Sequence, residues 1–438
     1  MHITRDLLRA VASGDLPPRL LARVGLEHLT ALCPFCAREV AAWRKEPLEN
    51  DRTLDPEIMV PLLAAATPKM AKAEERAARD FTELLSLPIG ARPARVARSR
   101  SRFRGPVLVR RLIEASREAL REDFEEAYHL AALALSIADR SAHTFDLHVL
   151  AAAAIGNACR AHGDLRTADR HFEYVRFLLH SQDVTDLAVL AEVDDLEGSL
   201  RKDQRKFEQA EELLGRALAL YWIAGREERS AKIMLILADV YFYRGDPISA
   251  ISIVKRALRQ IRPEVEVNDY LFARHNLASY LTGSGRYEEA LELLDEDAEL
   301  FANHGSPVHW IRREWLVGLV SAGLGQPDAA EAALLAARDA FIDKSLGFDA
   351  AMVSMDLAAF YLRAGRTEEV RALAETMIPI FTAQDIHREA LAALVLFQEA
   401  ARREAVTLAF VERLAVYLRD AEVDRDFKFR GGDGDPIR

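Results

Sequence analysis

The chain has 438 residues, half of them apolar, and carries a formal net charge of -11. This acidic balance argues against binding nucleic acid over the whole surface, and three cysteines are too few for a disulfide framework. Charged residues interrupt every long apolar stretch, including the N-terminus, where Arg5, Asp6 and Arg9 stand. We therefore predict a cytoplasmic protein that has no signal peptide and does not span a membrane.

Residues 1–46 are the first predicted domain, a small helical head. Within it, His28 precedes the pair Cys33 and Cys36. Two thiolates separated by two residues can hold one zinc ion from a single turn, and an upstream histidine can supply a third ligand. His2 is the other histidine of this region and could fold back to become the fourth. The alternative interpretation is a pair of buried thiols in a small helical bundle.

The same segment resembles the zinc-binding anti-sigma domain over residues 2–45. The shared features are a histidine, a short helix, a turn at Gly14-Asp15-Leu16-Pro17-Pro18, and a helix that ends in His-Leu before Cys-x-x-Cys. Four residues separate the second histidine from the first cysteine, where the family usually has three. The resemblance implies a structural zinc ion held by His2, His28, Cys33 and Cys36.

Residues 47–106 are predicted to be a linker. Prolines interrupt its first part as far as Pro68, which predicts at most short helices there, and a helical pattern returns over 69–86.

A run of arginines without any acidic residue completes this linker. It could contact nucleic-acid phosphates or an acidic partner surface, or it could be a flexible, solvated segment. Only Phe103 interrupts the charges, so no aromatic pattern indicates stacking on bases. The candidate contact residues are Arg95, Arg98, Arg100, Arg102 and Arg104.

One short pattern recurs along residues 151–378, in which a glycine or its substitute is followed five residues later by a small residue. The first interval between successive patterns is 42 residues, and the remaining four are 40. A period of this length in a helix-rich sequence predicts stacked helical hairpins, none of which can bury its apolar face alone. The pairs are Gly163 with Ala168, Arg205 with Ala210, Gly245 with Ala250, Gly285 with Ala290, Gly325 with Ala330, and Gly365 with Val370.

These units resemble the tetratricopeptide repeat in a longer, 40-residue form. Leu237-Ala238 stands where the family has Leu-Gly, and Tyr241 follows at the aromatic position. The second unit departs most, because Arg201 and Arg205 replace the aromatic residue and the glycine. The resemblance covers about 107–419 and implies an all-α fold, an α-solenoid of about eight helical hairpins. Residues 420–438 are predicted to be a flexible polar tail.

In this family the first helix of each hairpin lines a concave groove. The groove should be charged in its first half and apolar and aromatic in its second half, which would suit a partner helix or an extended peptide. Met352 and Met355 could instead belong to the core between repeats. The positions carried over by register are Asn157, Arg160, Glu192, Asp195, Lys202, Lys232, Asp239, Phe242, Tyr243, His275, Asn276, Arg312, Trp315, Met352, Met355 and Leu362.

No phosphate-binding loop, nucleophile elbow or zinc-protease motif occurs in the sequence. We therefore predict a non-catalytic adaptor that binds a protein or peptide in the groove and serves transcriptional or signalling regulation. A sigma factor and a signalling enzyme are the candidate partners. The alternatives are an anti-sigma-like regulator whose zinc head sequesters a sigma factor, and a nucleic-acid-binding adaptor that uses the arginine-rich segment.

The zinc assignment predicts one equivalent of zinc per chain by elemental analysis. Replacing Cys33 and Cys36 together by serine should abolish it, because a hydroxyl does not replace a thiolate as a zinc ligand. Cys159 is the remaining cysteine of the chain, so Cys159→Ser is the matched control and should keep the metal. Full metal content in the Cys33/Cys36 double variant would refute the assignment.

Overall fold

The computed structural model describes residues 56–423 and Phe429, apart from positions 121–122, 142–143, 182–183, 185, 225, 227–228, 264, 384–387 and 403–404. The predicted zinc ligands His2, His28, Cys33 and Cys36 lie outside these residues. The described residues form α-helices and one short 3-10 helix and contain no β-strand, so the predicted all-α class is confirmed.

Eighteen α-helices occur in the described residues, with the 3-10 helix Ile89–Ala91 between the first two. They are α1 (Pro56–Leu85), α2 (Arg92–Ala97), α3 (Pro106–Ala119), α4 (Phe124–Asp139), α5 (Phe145–Ala161), α6 (Leu165–Ser181), α7 (Leu187–Asp203), α8 (Phe207–Ile223), α9 (Ser230–Tyr243), α10 (Pro247–Leu258), α11 (Val267–Gly283), α12 (Tyr287–His304), α13 (Pro307–Gly323), α14 (Pro327–Asp343), α15 (Gly347–Arg363), α16 (Thr367–Ala383), α17 (Arg388–Arg402) and α18 (Leu408–Val423).

The helices form two compact units, one ending at Ile233 and the other beginning at Met234. In the first unit, α3 with α4, α5 with α6 and α7 with α8 pack as hairpins, and their first helices α3, α5 and α7 lie side by side. In the second unit, α11 with α12, α13 with α14 and α15 with α16 repeat this arrangement, with α11, α13 and α15 adjacent. Each unit is therefore a stack of tetratricopeptide-like hairpins.

The recurring turn between the helices of a hairpin adopts the left-handed backbone conformation. Gly163, Gly245, Gly285, Gly325 and Gly365 have φ between 72° and 91°. The residue after the turn donates its N–H to a carbonyl five residues back; the N–H of Asp164, for example, lies 3.0 Å from the oxygen of Cys159. This hydrogen bond closes the first helix and reverses the chain within three residues.

Arg205 takes the same conformation as these glycines, with φ 57°. The N–H of Lys206 donates to the carbonyl oxygen of Arg201 at 2.8 Å, as in the other turns. The prediction that Arg205 substitutes for the glycine in the second repeat is therefore confirmed.

The small residues of the pattern lie where the two helices of a hairpin cross. Ala168, Ala210, Ala250 and Ala330 are each 0% exposed. A Cβ atom added to Gly198 would lie only 2.7 Å from Leu214 Cγ on the facing helix. Larger side chains would push the helices apart, so the crossing requires Ala or Gly.

The prediction of at most short helices before Pro68 is wrong. A single helix of 30 residues, α1, runs from Pro56 to Leu85 and includes Pro61 and Pro68. Proline removes one backbone hydrogen bond and bends a helix without always ending it. The leucines and alanines between these prolines have high helix propensity, which favours continuation.

Part of the arginine-rich segment is packed against α1, so the segment is not solvated along its whole length. Phe103 is 1% exposed, and its N–H donates to Asp80 Oδ2 at 3.2 Å. The guanidinium groups of Arg95 and Arg102 each lie 4.8 Å from the centre of its ring. Arg102 also pairs with Asp80 and Glu83 at 2.6 Å, because α1 supplies the carboxylates that the segment itself lacks.

The left-handed conformation of the turn predicts that Gly325→Ala lowers the stability of the fold. The added Cβ has open space, but φ of 72° is unfavourable for alanine, so the free energy of unfolding should fall by about 1–2 kcal/mol in urea titrations. Gly90→Ala is the control, because its Cβ also meets nothing within 4 Å and its φ is not left-handed. Equal effects of the two substitutions would contradict the role of the turn.

Candidate partner-binding site

Within each unit, the predicted groove residues lie on the first helices of the repeats, and we call the surface that these helices form in either unit its first-helix surface. Asn157 and Arg160 lie on α5; Glu192, Asp195 and Lys202 on α7; Lys232, Asp239, Phe242 and Tyr243 on α9; His275 and Asn276 on α11; Arg312 and Trp315 on α13; and Met352, Met355 and Leu362 on α15.

Three of these residues come together around Asp203 at the end of α7. Arg160 donates from Nε to Asn157 Oδ1 at 2.9 Å and from Nη1 to Asp203 Oδ2 at 2.6 Å. Lys202 Nζ lies 2.9 Å from Asp203 Oδ1. Burial by itself would raise the pKa of Asp203, but Lys202 and Arg160 together lower it, so the carboxylate stays ionised. Asp203 was not among the predicted residues, although it adjoins Lys202 in the sequence.

An ion pair links the first and third hairpins of the first unit. Arg117 on α3 pairs with Glu192 on α7, although α5 packs between those two helices. Every residue of α5 from Val149 to Cys159 is buried, and most of them are small. The long side chain of Arg117 can therefore reach past α5 to Glu192. The register of the repeats did not predict this contact.

Asp195 lies one helical turn from Glu192 and is half-buried. Among the described residues, none donates a hydrogen bond to its carboxylate. Burial and then the charge of Glu192 raise the pKa of Asp195 to about 6, although Arg117, Arg229 and Arg160 act in the opposite direction. The carboxylate is therefore an acceptor with unused hydrogen-bonding capacity.

Tyr221, at the end of α8, adds an unused donor to this region. Its side chain is 2% exposed, and its hydroxyl has no hydrogen-bond partner among the described residues. Burial, followed by the charges of Glu192 and Asp195, raises its pKa, so the phenol keeps its proton. We call Arg117, Glu192, Asp195, Tyr221 and Arg229 the Asp195 cluster.

In the second unit, polar contacts join one first helix to the next. The hydroxyl of Tyr280 and the amide of Asn276 donate to Asp239 Oδ1. Arg312 Nη2 donates to Asp349 Oδ1 at 3.2 Å. These polar side chains therefore hold neighbouring hairpins in register.

Trp315 forms a contact of the same kind by donating from Nε1 to Asp356 Oδ2 at 2.7 Å. Burial raises the pKa of Asp356 to about 6, although this hydrogen bond opposes the change. Burial and then the charge of Arg312 lower the pKa of His275 to about 4, so this imidazole is neutral near pH 7.

The predicted aromatic residues are partly exposed on this unit. Phe242 stacks on Tyr280 with ring centres 4.7 Å apart, and Tyr243 is 38% exposed. Trp315 meets Phe341 edge-on at 6.1 Å. These three aromatic side chains leave apolar surface available beside the polar contacts.

The expectation that Met352 and Met355 form an exposed stripe is wrong. They are 4% and 0% exposed and belong to the hydrophobic core around α15, which packs against α16 and α18. Most residues of this helix are buried, so its methionines fill space between neighbouring helices.

The arginine-rich segment divides into paired and unpaired residues. Arg95 and Arg102 form ion pairs with carboxylates of α1. Arg98, Arg100 and Arg104 are exposed and form no ion pair with any described side chain. Only the second group remains available to an anionic partner.

The described residues contain no group of three histidine, cysteine or carboxylate side chains that could hold a metal ion. No helix among them is long and apolar enough to cross a bilayer.

Comparison with known proteins supports the fold. A sequence model of the tetratricopeptide repeat matches residues 229–302. The structure of a Rap protein complexed with competence and sporulation factor is similar, with 15% identity, a TM-score of 0.54, and coverage of 72% of this chain and 87% of that protein. The apo form of RapI has 14% identity and a TM-score of 0.52, with 74% and 100% coverage. A comparison with curated protein sequences finds no match. At these identities the likeness establishes the tetratricopeptide-like solenoid fold.

The raised pKa of Asp195 predicts how the stability of the Asp195→Asn variant depends on pH. The Asp195 carboxyl has a pKa of about 6 in the folded protein, against 3.8 as its ordinary value. Its ionisation therefore destabilises the folded state, and this loss grows as the pH rises from 3.8 and is complete above pH 6. The variant should therefore be more stable than the wild type by about 1–2 kcal/mol at pH 7.5 and equal to it below pH 4. Urea titrations across this range measure the difference.

Glu173→Gln removes an exposed carboxylate from α6 and is the control. It should show no such dependence on pH. A stability difference for Asp195→Asn that does not change with pH would contradict the explanation.

Proposed function

We propose that this chain is a non-catalytic adaptor that binds a protein or peptide partner on its first-helix surface, in transcriptional or signalling regulation. The observation that carries the proposal is the Asp195 cluster. A half-buried carboxylate and a buried hydroxyl have no partner among the described residues there, while arginines surround them.

An extended peptide fits this unused capacity. Each peptide bond offers one carbonyl acceptor and one N–H donor, and a buried polar group without a hydrogen bond is costly. Asp195 is half-buried and can accept a hydrogen bond from a peptide N–H, whereas the Tyr221 hydroxyl lies buried behind it. Arg117 keeps the adjacent Glu192 paired, so that carboxylate does not compete for the same donor.

The second unit offers apolar contacts for side chains of a partner. Trp315, Phe242 and Tyr243 expose parts of their rings, and aromatic residues contribute strongly to interfaces. His275 is neutral near pH 7 and can donate or accept a hydrogen bond without bringing a charge.

The similar Rap structure is that of a protein complexed with another molecule, competence and sporulation factor. The likeness is to its fold, and it supports the proposal that this kind of helical stack accommodates a ligand.

The zinc head is proposed as a second contact, with a sigma factor as the partner in the anti-sigma alternative. That alternative predicts that the Cys33→Ser, Cys36→Ser double variant loses the partner. If the first-helix surface carries the binding instead, the double variant should retain it.

Selection of peptides on the full chain from a display library, followed by fluorescence anisotropy, tests the proposal. Asp195→Lys should weaken binding of enriched peptides by about tenfold or more, because it replaces an acceptor by a cation. Glu173→Lys makes the same charge change at an exposed position on α6 and should leave the affinity unchanged.

Asp195→Asn serves as a second variant that keeps the size of the side chain, and circular dichroism checks that each variant is folded. Peptides that bind Asp195→Lys and Trp315→Ala as tightly as the wild type would show that the first-helix surface is not the binding site.

A further inference from the structure

A cleft lies on the side of the first unit formed by the second helices α6 and α8, with α7 as its floor. Its volume is about 710 Å³, within the range of small-molecule sites. Both charged and apolar side chains line it. They are Asp169, Arg176, Leu179, His180, Val184, Leu190, Glu197, Arg201, Lys206, Gln209, Glu212, Leu213 and Arg216. We call this space the outer cleft.

The floor of the outer cleft breaks the residue pattern of the repeats. Glu197 and Arg201 are 6% and 4% exposed, and they occupy positions where other units place apolar residues. Forty residues after Glu197 stands the buried Leu237, and forty after Arg201 stands Tyr241. Charged groups at core positions cost desolvation free energy, so this departure requires an explanation.

Four charged side chains that line the cleft form one connected network, and a separate ion pair lies beside it. Arg201 donates to Glu197 Oε1 and to Asp169 Oδ1 at 2.7 and 2.8 Å. Arg176 on α6 donates to the same oxygen of Glu197. Arg216 on α8 pairs with the buried Asp194 beneath the cleft. Two guanidinium groups therefore share a single carboxylate oxygen.

This network leaves hydrogen-bond donors in excess. A guanidinium has five N–H donors and no acceptor. Arg176 gives one N–H to Glu197, and Arg216 gives two to Asp194. Their side chains are 38% and 25% exposed, so the remaining donors are accessible. Lys206 also lines the cleft, but its Nζ lies 3.9 Å from Asp169 Oδ2, so it belongs to the paired charges. The outer cleft is thus suited to an acceptor with negative charge.

The rest of the lining is apolar. Leu179 and Val184 come from the end of α6 and the loop after it, Leu190 from the first turns of α7, and Leu213 from α8. Asp169, Arg201 and Lys206 are paired with one another at the opposite ends of these helices, because α7 runs antiparallel to α6 and α8. Arg176 and Arg216 lie nearer to the apolar side chains. The spare donors of these two arginines and an apolar surface therefore share one cavity.

From this arrangement we infer that the outer cleft binds a small amphipathic anion, with an oxyanion head at the arginines and a short apolar body against the leucines. This site is separate from the first-helix surface, and it does not depend on the proposed partner.

Octanoate is the probe, since it has one carboxylate and a short hydrocarbon chain. Titration calorimetry on the full chain should show saturable binding of one octanoate per chain. Acetate lacks the apolar body and octan-1-ol lacks the charge, so each should bind at least about tenfold more weakly.

Two variants locate the site. Arg176→Gln removes a donor for the head group, and Leu213→Trp places a larger side chain in the space for the apolar body. Each should weaken octanoate binding at least about tenfold. Arg170→Gln removes an exposed arginine of the same helix that does not line the cleft, and it should leave the affinity unchanged. Circular dichroism confirms the fold of each variant.

Absence of saturable octanoate binding would overturn the inference. So would acetate binding as tightly as octanoate, or octanoate binding that survives both Arg176→Gln and Leu213→Trp. Loss of octanoate binding with peptide binding retained would affect this inference alone, because the two sites share no residue.

Discussion

The structure depends on the close crossing of two helices within each hairpin. A left-handed turn closes the first helix and a small residue follows five positions later, so the second helix begins at once and lies against the first. A larger side chain at Ala250, or a Cβ atom at Gly198, would separate the two helices. This constraint recurs at almost constant intervals, and it is the reason that the chain forms a stack of hairpins.

The same period determines which polar groups meet on the first-helix surface. Arg312 contacts Asp349, 37 residues later, and Trp315 contacts Asp356, 41 residues later. Both separations lie within one helical turn of the 40-residue period. The contacting residues therefore stand at similar heights on neighbouring first helices, where long side chains can reach across. Several polar residues that the sequence assigns to a binding surface therefore already use hydrogen-bonding groups in contacts between hairpins.

The third of the described hairpins, α7 with α8, keeps the turn and the small residue of the repeat but differs in the charged side chains that it buries. Glu192 and Asp195 belong to the Asp195 cluster, whereas Glu197 and Arg201 of the same helix form the floor of the outer cleft. Burying ionised groups costs free energy even when they are paired, so most cores avoid them. This one hairpin therefore contributes to both the Asp195 cluster and the outer cleft.

The sequence by itself determined the fold class, the period, the turns and the first helices, because each depends on local backbone geometry and on the size of single residues. It even identified Arg205 as a substitute for glycine. Only the tertiary structure decided that Met355 is buried and that Arg117 reaches Glu192 past α5. It also decided that Asp195 and Tyr221 have no hydrogen-bond partner among the residues that the structure describes. Those features depend on which side chains from distant helices occupy the same space, and neither local propensity nor register contains that information.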